Sequence, residues 1–367
     1  MPEKSGLIVV GYGAGAIDRH MHAGNVWPGY VPGAKDDFTP EDHANFANMK
    51  RREYRVHPGG NWMNTGSYLA AVSGDGFYQE VRSCTLLGEN DVASSGIRNH
   101  MKRMGLVDHS IIVPNYEPSV SVIQRGKDEN GHVMDRMVRG RPRGGENAPK
   151  ENQFTPERVE AASRGADVVV IASLKSQIAN RIVMNYTPVY AKLSVNLGSS
   201  EVATPQKAEE ARRTLSERKA FLLAINDEEI RQLYNDDADP YELAARATKD
   251  ELAENVMVTC GAKGVLLAHN GDAEFSNASD ALMEAASVAK IDPRKIVSTL
   301  GAGDRAHAIA LDELLRQTPP EKIPERIAQG ALEVLRVAGA HEDLYSRRAR
   351  LMKFGRQLCA NLPLVRG

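Results

Sequence analysis

The sequence of 367 residues contains few cysteines and few aromatic residues, and it has no long apolar run. The three cysteines, Cys84, Cys260 and Cys359, form no CxxC or Cys/His cluster, so neither a disulfide framework nor a zinc site is predicted. The first apolar run, Leu7 to Val10, is much shorter than a signal-peptide core or the roughly 20 residues of a membrane span. We therefore expect a soluble, unexported protein of the reducing cytoplasm.

The chain also lacks an excess of charge of either sign. Its 46 basic and 48 acidic residues give a formal net charge of -2, which predicts neither nucleic acid nor a membrane surface as a partner. No G-x-x-x-x-G-K-[ST] sequence occurs, which excludes a P-loop kinase. A small, soluble substrate fits these absences better.

Short apolar runs alternate with helical patterns along most of the chain, which predicts a mostly parallel sheet covered by helices on both faces. The predicted strands begin near Leu7, Val168, Ala191, Ala220 and Val256. The predicted helices include 156–164, 204–218, 244–254, 306–316 and one within 320–340. We predict a three-layer α/β/α sandwich forming a single domain over residues 1–367.

Two segments interrupt this alternation and predict a small β lid near residues 19–58 and 112–140. The first is rich in proline and glycine, has a short predicted helix near 40–49, and resembles no substrate signature. In the second, alternating residues from Ser119 to Gln124 and from His132 to Val138 flank an Asn-Gly turn, which indicates a hairpin.

The strongest indication of a catalytic site is the run Gly301-Ala302-Gly303-Asp304, which precedes a helical pattern. Small residues at a helix start leave backbone N–H groups open to an anion. An aspartate in the first turn could take the proton of an attacking hydroxyl beside that anion. The alternative is a capped helix whose glycines only make the turn.

The run from Thr299 to Asp304 matches the Thr-x-Gly-Ala-Gly-Asp signature of the PfkB, or ribokinase-like, family of carbohydrate and nucleoside kinases, and the chain resembles that family from about Ile8 to about Ala340. Five elements that precede this run also resemble motifs of the family and occur in the family's order: Gly59-Gly60-Asn61-Trp62-Met63-Asn64, Gly88-Glu89-Asn90-Asp91, Asn196-Leu197-Gly198-Ser199-Ser200, Asn226-Asp227-Glu228-Glu229 and Thr259-Cys260-Gly261-Ala262-Lys263-Gly264.

The resemblance implies ATP-dependent phosphoryl transfer to a hydroxyl of a small sugar or nucleoside, with Mg²⁺. It implies that Asp304 is the general base and that Gly301, Ala302 and Gly303 form the anion hole. The implied ATP contacts are Asn196, Thr259, Gly261, Gly264 and Thr299, and the implied substrate contacts are Asp18, Gly59, Gly60 and Asn64. Glu229 and Asn226 would hold the Mg²⁺ through water. A homodimer formed through the lid is also implied.

Several of these residues have a purely structural interpretation. Asn226 and Glu229 could be a helix N-cap and its N3 partner. Gly261 and Gly264 could mark a hairpin turn, and Asp18 could be a surface loop acid.

The chain also departs from the family pattern. Ser298 stands where the family usually has an aspartate near a monovalent cation, which leaves cation dependence open. Arg305, next to Asp304, could aid a phosphate, but we expect it to face solvent.

Two other functions compete with a kinase. Gly11-Tyr12-Gly13-Ala14-Gly15-Ala16 after an apolar run satisfies the G-x-G-x-x-G/A pattern of a dinucleotide-dependent oxidoreductase, although Pro28 and Pro32 interrupt the unit it would need. A catalytically inactive sugar or nucleoside sensor of the same family is the second. Finally, five arginines around the hairpin could recognise a phosphorylated sugar or could be solvated: Arg125, Arg136, Arg139, Arg141 and Arg143.

Overall fold

The computed structural model describes residues 6–13, 15–22, 26–28, 30–32, 34–50, 53–127, 129, 133–140, 150–261, 264–269, 301–335 and 344. Its strands are β1 (Leu7–Gly13), β2 (Ala16–Met21), β3 (Lys35–Asp37), β4 (Tyr54–Gly59), β5 (Tyr78–Gly88), β6 (Val107–Asp108), β7 (Ile111–Val113), β8 (Ser119–Lys127), β9 (Val133–Gly140), β10 (Val168–Ala172), β11 (Lys192–Asn196), β12 (Ala220–Asn226), β13 (Ala253–Thr259) and β14 (Val265–His269). Its α-helices are α1 (Pro40–Asn48), α2 (Asn61–Val72), α3 (Val92–Met104), α4 (Lys150–Gln153), α5 (Pro156–Ser163), α6 (Gln177–Tyr186), α7 (Ser199–Val202), α8 (Pro205–Glu217), α9 (Asp227–Tyr234), α10 (Pro240–Lys249), α11 (Ala302–Leu315) and α12 (Ile323–Leu335).

The main sheet has the order β14-β13-β12-β11-β10-β1-β5-β6, and β7 also pairs with β5. Its neighbouring strands are parallel except β13 and β14, which pair antiparallel. The carboxyl ends of the parallel strands therefore meet along one edge, where ligands bind in open α/β sheets.

Helices bury both faces of this sheet. On one face, Val10, Val169 and Val195 belong to a core cluster with residues of α5, α6, α8, α9 and α10. On the other face, Val9 and Val170 belong to a cluster with residues of α2, α3, α11 and α12. Alternate residues of each strand thus serve opposite cores, and the predicted three-layer α/β sandwich is confirmed.

A second sheet has the order β3-β9-β8-β2-β4 and takes strands from both segments that interrupt the α/β alternation. The predicted hairpin is present as the antiparallel pair of β8 and β9. The long segment after β2 folds back on the sheet, where Met21, Trp27 and Val122 form a small core against Phe38 and Phe46. The sequence of that segment therefore reflects packing on the second sheet.

The glycines of the dinucleotide-like pattern have a packing role. A Cβ atom on Gly11 would lie 2.2 Å from the Trp62 ring, and one on Gly13 would lie 2.5 Å from Trp62 Cβ. Trp62 on α2 is fully buried and donates from Nε1 to Ser83 Oγ at 3.0 Å. Both glycines lie within β1, and the next element is β2 rather than the helix that a dinucleotide site requires.

The bounds of one predicted helix and the predicted exposure of Arg305 are wrong. The helix predicted over 244–254 is α10, which begins earlier because Asp239 caps it and Pro240 occupies its first turn. It ends before Glu251, whose φ of 58° is left-handed, and residues 253–254 belong to β13. Arg305 is buried rather than solvent-facing, and its guanidinium lies 5.1 Å from the centroid of the Tyr68 ring on α2.

Among the described helices, none is long and apolar enough to cross a membrane.

Candidate active site

A cleft of about 470 Å³ lies between the carboxyl edge of the main sheet, the start of α11 and one face of the second sheet. Most of the sequence-predicted site residues line it together: Asp18, Gly60, Asn64, Asn196, Asn226, Glu229, Thr259, Gly301, Gly303 and Asp304. Gly59, Gly261, Gly264 and Ala302 are not among its described lining residues. Ser298 and Thr299 lie outside the described residues.

The start of α11 provides open backbone donors. Gly301 caps the helix with a left-handed φ of 82°, a conformation that favours glycine. The first helical bond runs from Arg305 N to Gly301 O at 2.9 Å, so the N–H groups before Arg305 have no partner within the helix. A Cβ atom on Gly303 would meet no atom of the described part of the chain within 4 Å. Among the described residues nothing covers this helix start, which can therefore act as an anion cradle.

Asp304 in the first turn of α11 is held by α2. Asn64 Nδ2 donates to Asp304 Oδ2 at 2.7 Å, and Thr65 Oγ1 donates to the Asp304 carbonyl at 3.3 Å. Asn64 Oδ1 is buried and has no hydrogen-bond partner among the described residues, although Asn64 lines the cleft. The amide thus orients the aspartate and keeps an acceptor for a bound hydroxyl.

Asp18 is a buried residue of β2 rather than a surface loop acid, with 6% of its surface exposed. Burial raises its pKa to about 7; the nearby Asp304 charge adds to this rise, and a hydrogen bond with Ser121 opposes it. Gly59 is necessary beside it, because a Cβ atom there would lie 2.0 Å from Asp18 Oδ2. Asp18 and Asp304 therefore lie close enough that the charge of Asp304 affects the protonation of Asp18.

Asn226 and Glu229 form the capping box that the sequence permits. Glu229 N donates to Asn226 Oδ1 at 2.7 Å, and Asn226 N donates to Glu229 Oε2 at 3.0 Å. Ser199 Oγ also donates to Glu229 Oε1 at 2.9 Å. Glu229 also lines the cleft. The structural role is therefore compatible with a second one.

The remaining residues that the sequence predicts as ATP contacts divide into two groups. Asn196 ends β11 and accepts from Asn61 Nδ2 at 3.1 Å, which ties it to the start of α2. Gly261 and Gly264 form the turn of the β13–β14 hairpin, where Cys260 N donates to Gly264 O at 2.8 Å. That turn follows Thr259, which lines the cleft.

Sequence reasoning assigned no role to Asn61, Ser121, Lys175 or Ser199, which also line the cleft. Asn61 and Ser199 lie inside motifs that the sequence displays, so their position in those motifs was an available signal. Ser121 and Lys175 carry no such signal, because only the fold brings them to this edge.

Residues 35–326 match the pfkB family of carbohydrate kinases, whereas no curated protein matches the chain. Among solved structures, the fold is similar to adenosine kinase from Sinorhizobium meliloti, with a TM-score of 0.67 at 14% identity over 96% of this chain and 99% of that one. It is also similar to ribokinase from Thermotoga maritima, with a TM-score of 0.58 at 17% identity over 95% and 99% of the two chains.

At such identities the structural likeness shows the fold alone, but the family match spans most of the chain and includes the first turn of α11. The chain belongs to the pfkB family of carbohydrate kinases.

Proposed function

We propose that this protein transfers the terminal phosphoryl group of ATP to a hydroxyl of a small sugar or nucleoside. The observation that carries the proposal is the position of Asp304, in the same cleft as the open N–H groups at the start of α11 and hydrogen-bonded to Asn64. The proposal includes both sugar and nucleoside acceptors because kinases of both kinds are among the similar structures.

In the proposed reaction, Asp304 accepts the proton of the acceptor hydroxyl as its oxygen attacks the terminal phosphorus of ATP. The new O–P bond forms while the bond to the bridging oxygen breaks, and ADP leaves. The N–H groups of Gly301, Ala302 and Gly303 would stabilise charge on the transferring group. Asp18, Gly60 and Asn64 would hold the acceptor, and Gly59 would leave room for the Asp18 carboxylate.

The residues present fit ATP with Mg²⁺. Asn226 and Glu229 line the cleft, and one carboxylate with a neighbouring amide suits an ion that keeps most of its waters. Glu229, with Asn226 beside it, would accept from those waters. The ion would neutralise charge on the ATP phosphates. Asn196, Thr259 and the turn at Gly261 and Gly264 would line the nucleotide side together with Thr299.

We further propose one kinase domain over residues 1–367, in which the second sheet acts as a lid that excludes water from the cleft. Its strands contribute Asp18 and Ser121 directly to the lining, so movement of this sheet would change the site. Dimerisation through the lid stays a prediction.

The test is ADP release with ATP and Mg²⁺ across a panel of pentoses, hexoses, sugar phosphates, sugar acids and nucleosides. We expect ADP release that requires an acceptor of one class and that saturates as the concentration of this acceptor rises. Binding of a panel compound without turnover would instead support the sensor.

Glu229→Gln separates the two roles of this residue. Glutamine retains the capping-box geometry but has no charge for the metal waters. We expect the melting temperature to change by only a few degrees, while the Mg²⁺ concentration for half-maximal activity rises about tenfold or more. Melting and Mg²⁺ titrations of both proteins measure this. An unchanged Mg²⁺ requirement would leave Glu229 with only the capping role.

The pKa of Asp18 predicts a pH effect on stability. In the folded protein this pKa is about 7, above its ordinary 3.8, so the folded state holds the proton longer than the unfolded chain does. Stability should therefore fall as the pH rises from about 4 to about 7. Asp18→Asn should lose this part of the pH dependence in melting curves. Parallel pH dependences for the two proteins would contradict the raised pKa.

A further inference from the structure

The second sheet presents one face to the cleft, and its charged residues differ in what they can contact. Side chains alternate along β9, so Asp135, Met137 and Arg139 line the cleft, whereas Arg136 and Val138 are buried on the opposite side. The sheet therefore determines which of the hairpin arginines can meet a ligand.

The hairpin arginines have separate environments. Arg125 forms an ion pair with Asp135 at 3.3 Å, so two opposite charges on the cleft face neutralise each other. Arg139 makes no ion pair with any described residue, and its Nε is buried without a hydrogen-bond partner. Arg141 and Arg143 lie outside the described residues. Among the described hairpin arginines, Arg139 is thus the one with donor capacity left in the cleft.

The strand register fixes where Arg139 lies relative to the reacting end. Arg139 on β9 is the cross-strand partner of Ser121 on β8, and Ser121 is the partner of Asp18 on β2. Two strand spacings place the Cα atom of Arg139 about 10 Å from that of Asp18. Because Asp18 lies near Asp304, a guanidinium reaching back from Arg139 would meet the far end of a five- or six-carbon acceptor.

We propose, on the basis of the proposed function, that Arg139 binds an oxyanion at the end of the acceptor remote from the attacking hydroxyl. The preferred acceptor is then a sugar phosphate or a sugar acid, because a guanidinium donates two parallel hydrogen bonds to a phosphate or a carboxylate. Arg139 determines specificity and takes no part in proton transfer.

The other lining residues agree with such an acceptor. Among the described residues of the cleft, none is aromatic, so the described walls offer no ring to stack on a nucleobase. Polar groups line the same face beside Arg139, and Ser121 and Asp18 suit the hydroxyls of a sugar. A nucleoside would leave the buried Nε of Arg139 without a partner, which is costly.

The experiment compares kcat/KM for matched acceptors: fructose and fructose 6-phosphate, ribose and ribose 5-phosphate, glucose and gluconate, with adenosine as the nucleoside. The variants are Arg139→Gln and Arg139→Lys. Lys127→Gln is the control, because Lys127 is an exposed cation of the same sheet outside the cleft lining. Melting temperatures establish that every variant is folded.

We expect an anionic acceptor to be preferred, and Arg139→Gln to lower its kcat/KM about 100-fold, mainly through KM. The lysine variant should retain part of the activity, and Lys127→Gln should stay within about twofold of the wild type, since surface charges are screened. A preference for the phosphorylated acceptors or for gluconate identifies whether Arg139 binds a phosphate or a carboxylate.

Preferred turnover of a neutral sugar or of adenosine would overturn the role of Arg139 while leaving the proposed kinase function intact. So would equal losses for neutral and anionic acceptors in Arg139→Gln. A panel in which nothing accepts phosphate from ATP would contradict the proposed function itself and remove the basis of this inference.

Discussion

Replacing Asp304 by asparagine should lower kcat for phosphoryl transfer by about a thousandfold or more, since general-base assistance contributes factors of this order. Asparagine has nearly the same shape but cannot take the hydroxyl proton. The amide can still meet Asn64, which holds the aspartate at 2.7 Å, so the helix start should be preserved. Steady-state turnover with saturating ATP and acceptor measures the loss.

Two controls separate chemistry from folding in this variant. Glu325→Gln neutralises another first-turn carboxylate, on α12, that is exposed and outside the cleft lining; its turnover should match the wild type. Acceptor and ATP affinities of Asp304→Asn, measured at equilibrium, should change little. A tenfold loss or less would mean that Asp304 is not the base.

Replacing Gly303 by alanine should abolish most activity without destabilising the protein. The new methyl group would meet no atom of the described residues within 4 Å, and alanine is the better helix former. Because Gly303 lines the cleft, that open space is where the transferring phosphoryl group would lie. A displacement of about 1 Å at a reacting centre can cost about 100-fold in rate, and we expect a loss of that size in kcat.

Gly96→Ala is the matched control for this substitution. Gly96 lies within α3, and its Cβ atom would make only an ordinary contact with Ile17 at 3.5 Å. Both variants should melt at or above the wild-type temperature, and only Gly303→Ala should lose turnover. Full activity of Gly303→Ala would show that no phosphoryl group occupies this space.

The sequence predicted the elements that depend on local chemistry. Gly301, Gly303 and Asp304 are placed by one helix start, which is visible in a short run of residues. Much of the main sheet was likewise predictable, because β1, β10 and β12 contain continuous apolar runs, whereas the polar residues of β5 interrupt its pattern. The pairing of Asn226 with Glu229 was also foreseeable, since a capping box spans only one turn.

Long-range contacts could not be predicted in this way. The hydrogen bond from Asn64 to Asp304 joins residues 240 positions apart, and the burial of Arg305 depends on Tyr68 from another helix. The arginines of the hairpin look alike in sequence, and only the register of β8 and β9 separates Arg139 from Arg136. A shift of one residue would exchange the faces of the two side chains.

The most direct test of the proposed phosphoryl transfer is mass spectrometry of the acceptor after incubation with ATP and Mg²⁺, for the wild type and Asp304→Asn. We predict that the acceptor gains one phosphoryl group for each ADP formed, and that this product is almost absent with the variant. ADP without a phosphorylated acceptor, an acceptor that binds but stays unmodified, or equal product from both proteins would contradict the assignment of this cleft as a kinase active site.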